Sequence, residues 1–283
     1  MTRGKRTAFA RNTRGFVERR GLLLALVPLA LGFGACDEPQ ANDADADAEV
    51  VLYAAASLGT SCDRLARAFE KEYPGVRVVT SYGASGALAR QLVAAPRADV
   101  FFSASDEYMN EVERAGRLVP DTRRALLENQ LVAVVSKTSM LAGAAPEDLE
   151  NLAFGRLFVA DPESVPAGKY ARTWLSSHKA GSASVWDALA PKRVPVADVR
   201  AALSQVETSS TAIAIVYRTD ALSSDRVKVL FERKESTGTP IRYPVARVAR
   251  PDASAWAARF HEFLLGASAR AEFRSAGFRV IDD

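Results

Sequence analysis

The chain has 283 residues, 48% hydrophobic and 25% charged, an ordinary globular composition for one large domain or two modest ones. Its formal charge of +3 comes from residues 1–35, where seven basic side chains (Arg3, Lys5, Arg6, Arg11, Arg14, Arg19, Arg20) face Glu18 alone; the rest has 30 Lys+Arg against 33 Asp+Glu. The body therefore lacks the basic field that nucleic-acid binding needs, and any anion site on it must be local.

Residues 1–35 read as an export signal. A basic start precedes a 12-residue apolar run over 22–33, too short to span a bilayer. The run ends in Phe33-Gly34-Ala35-Cys36, which resembles a bacterial lipoprotein signal. Cys36 is then the expected lipidated N-terminus, and the only membrane contact is that anchor. A plain signal peptide cleaved nearby is the alternative, and Arg19-Arg20 leaves the general and the twin-arginine export routes both open. Residues 36–48, acidic and without apolar period, read as a flexible tether.

From Glu49 onward strand-like and helical patterns alternate, which predicts α/β layers with mostly parallel sheets. Strands are expected over 50–54, 76–81, 99–103, 131–135, 156–160, 213–217, 227–231 and 241–248. Helices are expected over 58–72, 86–95, 106–115, 121–128, 169–177, 198–206 and 253–275, the last amphipathic through Trp256, Phe260, Phe263 and Leu264. Cys62 shares a helical stripe with Leu58, Leu65 and Phe69, the pattern of a small core hydrophobe rather than a reactive thiol.

Chemistry gathers where strands break into helices. Ser57 and Ser85 each stand at such a junction, where free N–H donors and about half a positive charge favour an anion. Singly, each could be a helix cap. Ala167, after Pro166, and Val199, after the N-cap candidate Asp198, present further orphan N–H groups at helix starts. Tyr217 ends the apolar strand over 213–217, on the side where open α/β sheets bind ligands.

Five segments together resemble the molybdate-binding protein family of bacterial ABC importers: Ala54-Ala55-Ala56-Ser57-Leu58; Gly83-Ala84-Ser85-Gly86-Ala87-Leu88 with Gln91; residues 98–104; Val165-Pro166-Ala167-Gly168-Lys169-Tyr170; and Ile215-Val216-Tyr217 with Thr219-Asp220-Ala221. Ala214 departs from the glycine often found there. The resemblance implies a type II periplasmic-binding-protein fold with two α/β lobes, 49–130 plus 242–283 and 131–241, and a ligand in the cleft between them. It implies that Ser57, Ser85, Ala167, Val199 and Tyr217 hold a tetrahedral oxyanion, molybdate and also tungstate. It further implies an extracytoplasmic, monomeric receptor that delivers its ion to the transmembrane subunits of an ABC permease. On this reading there is no catalysis, no cofactor, and no metal coordinated directly by side chains.

Competing readings leave specific marks. Receptors for sulfate, thiosulfate or phosphate share the expected architecture, whereas receptors for organic acids usually place an Arg in the cleft; in the sequence nothing basic stands beside Ser57 or Ser85. Gly83-Ala84-Ser85-Gly86-Ala87 approaches the nucleophile elbow of a serine hydrolase, but its last position is not glycine. Only His178, at a polar helix end, and His261, expected in solvent, could complete a triad, and 83 positions separate them, which also argues against zinc. There is no P-loop and no dinucleotide fingerprint.

Overall fold

Two mixed β-sheets organise the chain in a computed structural model that describes residues 48–143, 145–234 and 238–281. The export signal, Cys36 and all of the tether but Ala48 lie outside the described residues. The first sheet has the order β13-β4-β12-β3-β1-β2, built from β1 (Ala48–Ala55), β2 (Val76–Gly83), β3 (Val100–Phe102), β4 (Arg124–Asn129), β12 (Ile241–Arg247) and β13 (Arg279–Val280). The second has the order β11-β5-β10-β6-β9, from β5 (Leu131–Ser136), β6 (Leu157–Ala160), β9 (Arg193–Val196), β10 (Ile213–Tyr217) and β11 (Val227–Glu232). A short hairpin of β7 (Lys179–Ala180) and β8 (Ala183–Ser184) stands apart. The chain leaves the first sheet at Gln130 and returns after Glu232.

The sheets are mixed rather than mostly parallel. In the first, β1 pairs in parallel with β2 and β3, while β12 and β4 run antiparallel to their neighbours. In the second, β6 is parallel to β9 and β10, while β5 is antiparallel to β10 and β11. The antiparallel pairs are those beside the two crossings; the parallel parts are built from strand–helix units.

Nine helices are described: α1 (Gly59–Glu72), α2 (Ser85–Ala94), α3 (Asp106–Arg114), α4 (Pro166–Ser176), α5 (Val185–Ala188), α6 (Val199–Glu207), α7 (Arg218–Leu222), α8 (Ala257–Leu265) and α9 (Ala267–Ser275). They cover the sheet faces, and every residue of β5 and β10 is buried, as two-sided cover requires. Cys62 is fully buried in the core, and desolvation pushes its thiol pKa up, away from reactivity. Phe69 of α1 packs against Phe260 and Phe263 of α8, with ring centroids 5.0 and 5.3 Å away. Those contacts hold the C-terminal helices to the first sheet's half of the chain.

Residues 121–128 were expected to be helical, but most of them form β4. Ala125, Leu126 and Leu127 are good helix formers, and local propensity is overridden by ladders to β12 and β13 on either side. Leu126 and Leu127 point to opposite faces and both are buried, so the period-2 signal was hidden. Gly266 divides the long helix expected over 253–275, its extended backbone (φ −72°, ψ 169°) ending α8 and starting α9. The expectations missed β9, an edge strand whose Pro195 suits only an edge, and the short α7 and β13.

Candidate functional site

The site residues follow from where strands end. In the first sheet β1 leads into a 3-10 turn, Ala56–Leu58, that carries Ser57, and β2 leads through Ala84 into α2 at Ser85. In the second, β6 leads to α4 at Pro166, β9 leads to α6 at Val199, and β10 ends at Tyr217. These C-terminal strand ends meet around one small cavity. Ser57, Ser85, Val199 and Tyr217 line it. Ala167 does not reach the lining, but its chain neighbours Val165 and Pro166 do, and its buried N–H stands in the first turn of α4. Wider clefts of about 260 Å³ and 250 Å³ lie beside Arg233 and beside Arg200; the second also borders Ser57 and the starts of α1, α6 and α7, but not Ser85, Val199 or Tyr217.

Neither serine is a helix cap, for no side-chain capping bond is made at either helix start. Ser85 Oγ instead accepts from the N–H of Ala104, 3.0 Å away, so its own proton is free for the cavity. Ser57 Oγ lies 3.1 Å from Tyr243 Oη, and Asn129 Nδ2 donates to that phenol oxygen over 3.2 Å. A phenol that already accepts from Asn129 can donate to Ser57, and in that arrangement the Ser57 proton is left for the cavity as well. Tyr217 Oη is buried with no hydrogen-bond partner among the described residues. Burial raises the pKa of both phenols well above the usual tyrosine value, so each keeps its proton. Asp198 lines the cavity too, but its Oδ1 caps α6 by accepting from Ala201 N, as the sequence suggested.

Across this cavity the two sheet-bearing halves touch closely. Gly86 N donates to Ser164 O over 3.1 Å, and a Cβ on Gly86 would lie 2.5 Å from that oxygen and 2.8 Å from the Tyr108 ring. Only glycine permits this approach. Lys169 Nζ meets Glu107 Oε1 at 2.6 Å and lies over the Tyr108 ring.

A match to bacterial extracellular solute-binding proteins runs over residues 50–279. The chain belongs to that family. The molybdate-binding protein ModA of Escherichia coli (strain K12) is 38% identical over 238 residues, 83% of this chain and 90% of that protein. YvgL of Bacillus subtilis (strain 168), classed provisionally as an ABC-transporter substrate-binding lipoprotein, is 32% identical over 258 residues, 90% and 96% of the two chains. The periplasmic molybdate-binding protein of Azotobacter vinelandii matches with a TM-score of 0.72 at 20% identity, over 82% of this chain and 100% of that one. That likeness shows the fold, the type II periplasmic-binding-protein architecture that the motifs implied. As a solute-binding protein of an extracellular family, it works outside the cytoplasm. No helix among the described residues is long and apolar enough to cross a membrane.

Several site-supporting residues of this solute-binding protein were not found in the sequence. Tyr243 and Asn129 lie far from Ser57 along the chain and join it only through the fold; no local signal marks them. Arg200 corrects the expectation that nothing basic stands near Ser57: its Nε donates to Ala56 O over 2.7 Å. It stays outside the cavity lining. His261, expected in solvent, is buried, and desolvation with Arg247 and Arg124 nearby lowers its pKa to about 4. His178 pairs with Glu147. Neither ring bonds to Ser85, and among the described residues no cluster of three His, Cys, Asp or Glu side chains could hold a metal.

Asp220 lies just behind Tyr217 and accepts from that residue's N–H at 3.1 Å. Burial outweighs this bond and raises the carboxyl pKa from 3.8 to about 7. A raised native-state value means the folded protein holds this proton more tightly than the unfolded chain. The resulting stability is complete below about pH 4, and is lost as pH rises through about 7. Asp220→Asn should therefore flatten the fall in stability between those limits, measured by urea unfolding across that range; an unchanged slope would assign it to other groups.

Proposed function

We propose that this protein captures molybdate, and also tungstate, outside the cytoplasm and delivers it to the transmembrane subunits of an ABC permease. The observation that carries this reading is the buried Tyr217 hydroxyl, which makes no hydrogen bond of normal length, has the Tyr243 phenol as its polar neighbour, and belongs to a residue that lines a cavity with Ser57 and Ser85. Leaving one buried donor unsatisfied costs about 1–3 kcal/mol. Several such donors together fit an occupant that only accepts, and a fully deprotonated tetrahedral oxyanion is one. The N–H groups of Ala167 and Val199 and the two helix starts add donors and positive potential without a buried counter-charge. The similarity to ModA of Escherichia coli supports molybdate over other anions.

In this proposal the lobes are residues 49–130 plus 242–283 and residues 131–241, closing on the ion by rotation about the two crossings. The closed form is the one the permease would recognise. The protein catalyses nothing and needs no cofactor; it acts as a monomer.

Ser57→Ala and Ser85→Ala should each weaken molybdate binding by about 1.5–3 kcal/mol, ten- to more than a hundredfold, with the fold intact. Isothermal titration of residues 49–283 checks this, and binding within twofold of wild type for both variants would move the site elsewhere. In competition at neutral pH, molybdate and tungstate should come first, sulfate well behind, and phosphate undetectably. Phosphate keeps a proton near pH 7, and the serine, tyrosine and backbone N–H groups offer it donors only; the one lining carboxylate, Asp198, has Oδ1 bonded to Ala201 N, so phosphate binding would require its Oδ2 to take that proton. If phosphate competes equally, the receptor is one for phosphate.

The anchor is the second part of the proposal: cleavage after residue 35, lipidation of Cys36, and a tether that lets the body stand off the membrane. The lipoprotein class of YvgL supports it. Mass spectrometry of protein from its native membrane should find a diacylglyceryl group on an N-terminal Cys36, and Cys36→Ser should release the protein to the soluble fraction. A soluble wild-type protein with another N-terminus would replace this with a plain signal peptide.

A further inference from the structure

Arg200 is the second residue of α6, directly after Val199, and its side chain crosses to the opposite half of the molecule. Nε donates to Ala56 O at 2.7 Å and Nη2 donates to Thr60 Oγ1 at 2.9 Å. Ala56 immediately precedes Ser57. One side chain thus ties together the two chain segments that present Val199 and Ser57 to the cavity.

Gly59 makes room for it. Its backbone is ordinary helix, φ −53° and ψ −48°, which any residue adopts and where glycine costs helix stability. Nothing local calls for glycine. A Cβ there, however, would stand 2.9 Å from Arg200 Nη2 and 3.0 Å from Cζ. The guanidinium, at the end of a flexible side chain, would have to shift to relieve that contact, and the shift would strain its two bonds to Ala56 and Thr60. The fork also fits its partners, two donors on two separate acceptors, better than a lysine ammonium could.

We propose that Arg200, seated over Gly59, is the latch of the closed state: a positioning residue that sets how slowly the bound ion escapes. It touches no ligand. It forms when α6 meets the start of α1, and so should govern dissociation more than encounter. The proposal rests on the receptor reading above, with molybdate as the ion.

The test is stopped-flow binding of molybdate to wild type and to Arg200→Ala, Arg200→Lys and Gly59→Ala, with thermal melting of each ligand-free protein. Arg200→Ala should raise the dissociation rate about tenfold or more, with association within about twofold. Arg200→Lys should restore only part of this. Gly59→Ala should also speed dissociation while holding or raising the ligand-free melting temperature, because alanine favours the helix. A purely structural role could not produce that opposed pair of signs. In the Arg200→Ala background Gly59→Ala should change the dissociation rate no further. Full rescue by lysine would replace the latch with a simple charge effect, and unchanged dissociation in Arg200→Ala would overturn it outright. If wild type binds sulfate and not molybdate, the ion assignment falls, and the same rates measured with sulfate decide the latch.

Discussion

Hydrogen-bond donors without acceptors are the constraint around which this protein is arranged. Helix starts cannot satisfy their own first N–H groups, and here those of α4 and α6 converge with two serine hydroxyls and a buried phenol. In a core, such groups are normally paired. The fold brings them together instead: Ser85 Oγ takes the Ala104 N–H and so turns its own proton outward, and Asp198 Oδ1 caps its own helix. What is left is a small space that favours negative charge without enclosing a positive one.

Neutral donors suit a receptor that must also let go. A buried Arg or Lys against a dianion would have to be desolvated on binding and left unpaired on release, a cost of several kcal/mol. Hydroxyls and amides meet water in the open form with little penalty. Arg200 is near enough to bridge the halves, yet it bonds to a carbonyl and a hydroxyl rather than lining the cavity. Asp220 shows the same economy of charge: burial keeps a proton on it to near neutral pH, which lessens the repulsion an anion would meet at Tyr217.

The sheets explain why the site is so small and so shared. Each is parallel where strand–helix units deliver the donors and antiparallel beside the crossings. Tyr243, on a strand just after the second crossing, and Asn129, just before the first, support Ser57 from that side. Thr219 of α7 accepts from the same Asn129 amide, so the network behind Ser57 already joins both halves.

The sequence by itself determined the alternation of strands and helices, the burial of Cys62, the cap at Asp198 and the junctions that carry Ser57, Ser85, Val199 and Tyr217. Those features are local: apolar period, turn residues and helix-start chemistry act within a few positions. Only the tertiary structure decided that residues 124–129 are a strand, since helix-forming leucines yield to ladders with β12 and β13. It alone decided that the two serines are not caps, that His261 is buried, and that Tyr243, Asn129 and Arg200 stand beside Ser57. The Ser85 contact spans 19 positions and those of Tyr243, Asn129 and Arg200 span 114 or more, while His261 depends on cover from distant segments. Such contacts leave no periodic trace in the chain, because they are set by where the strands end in space.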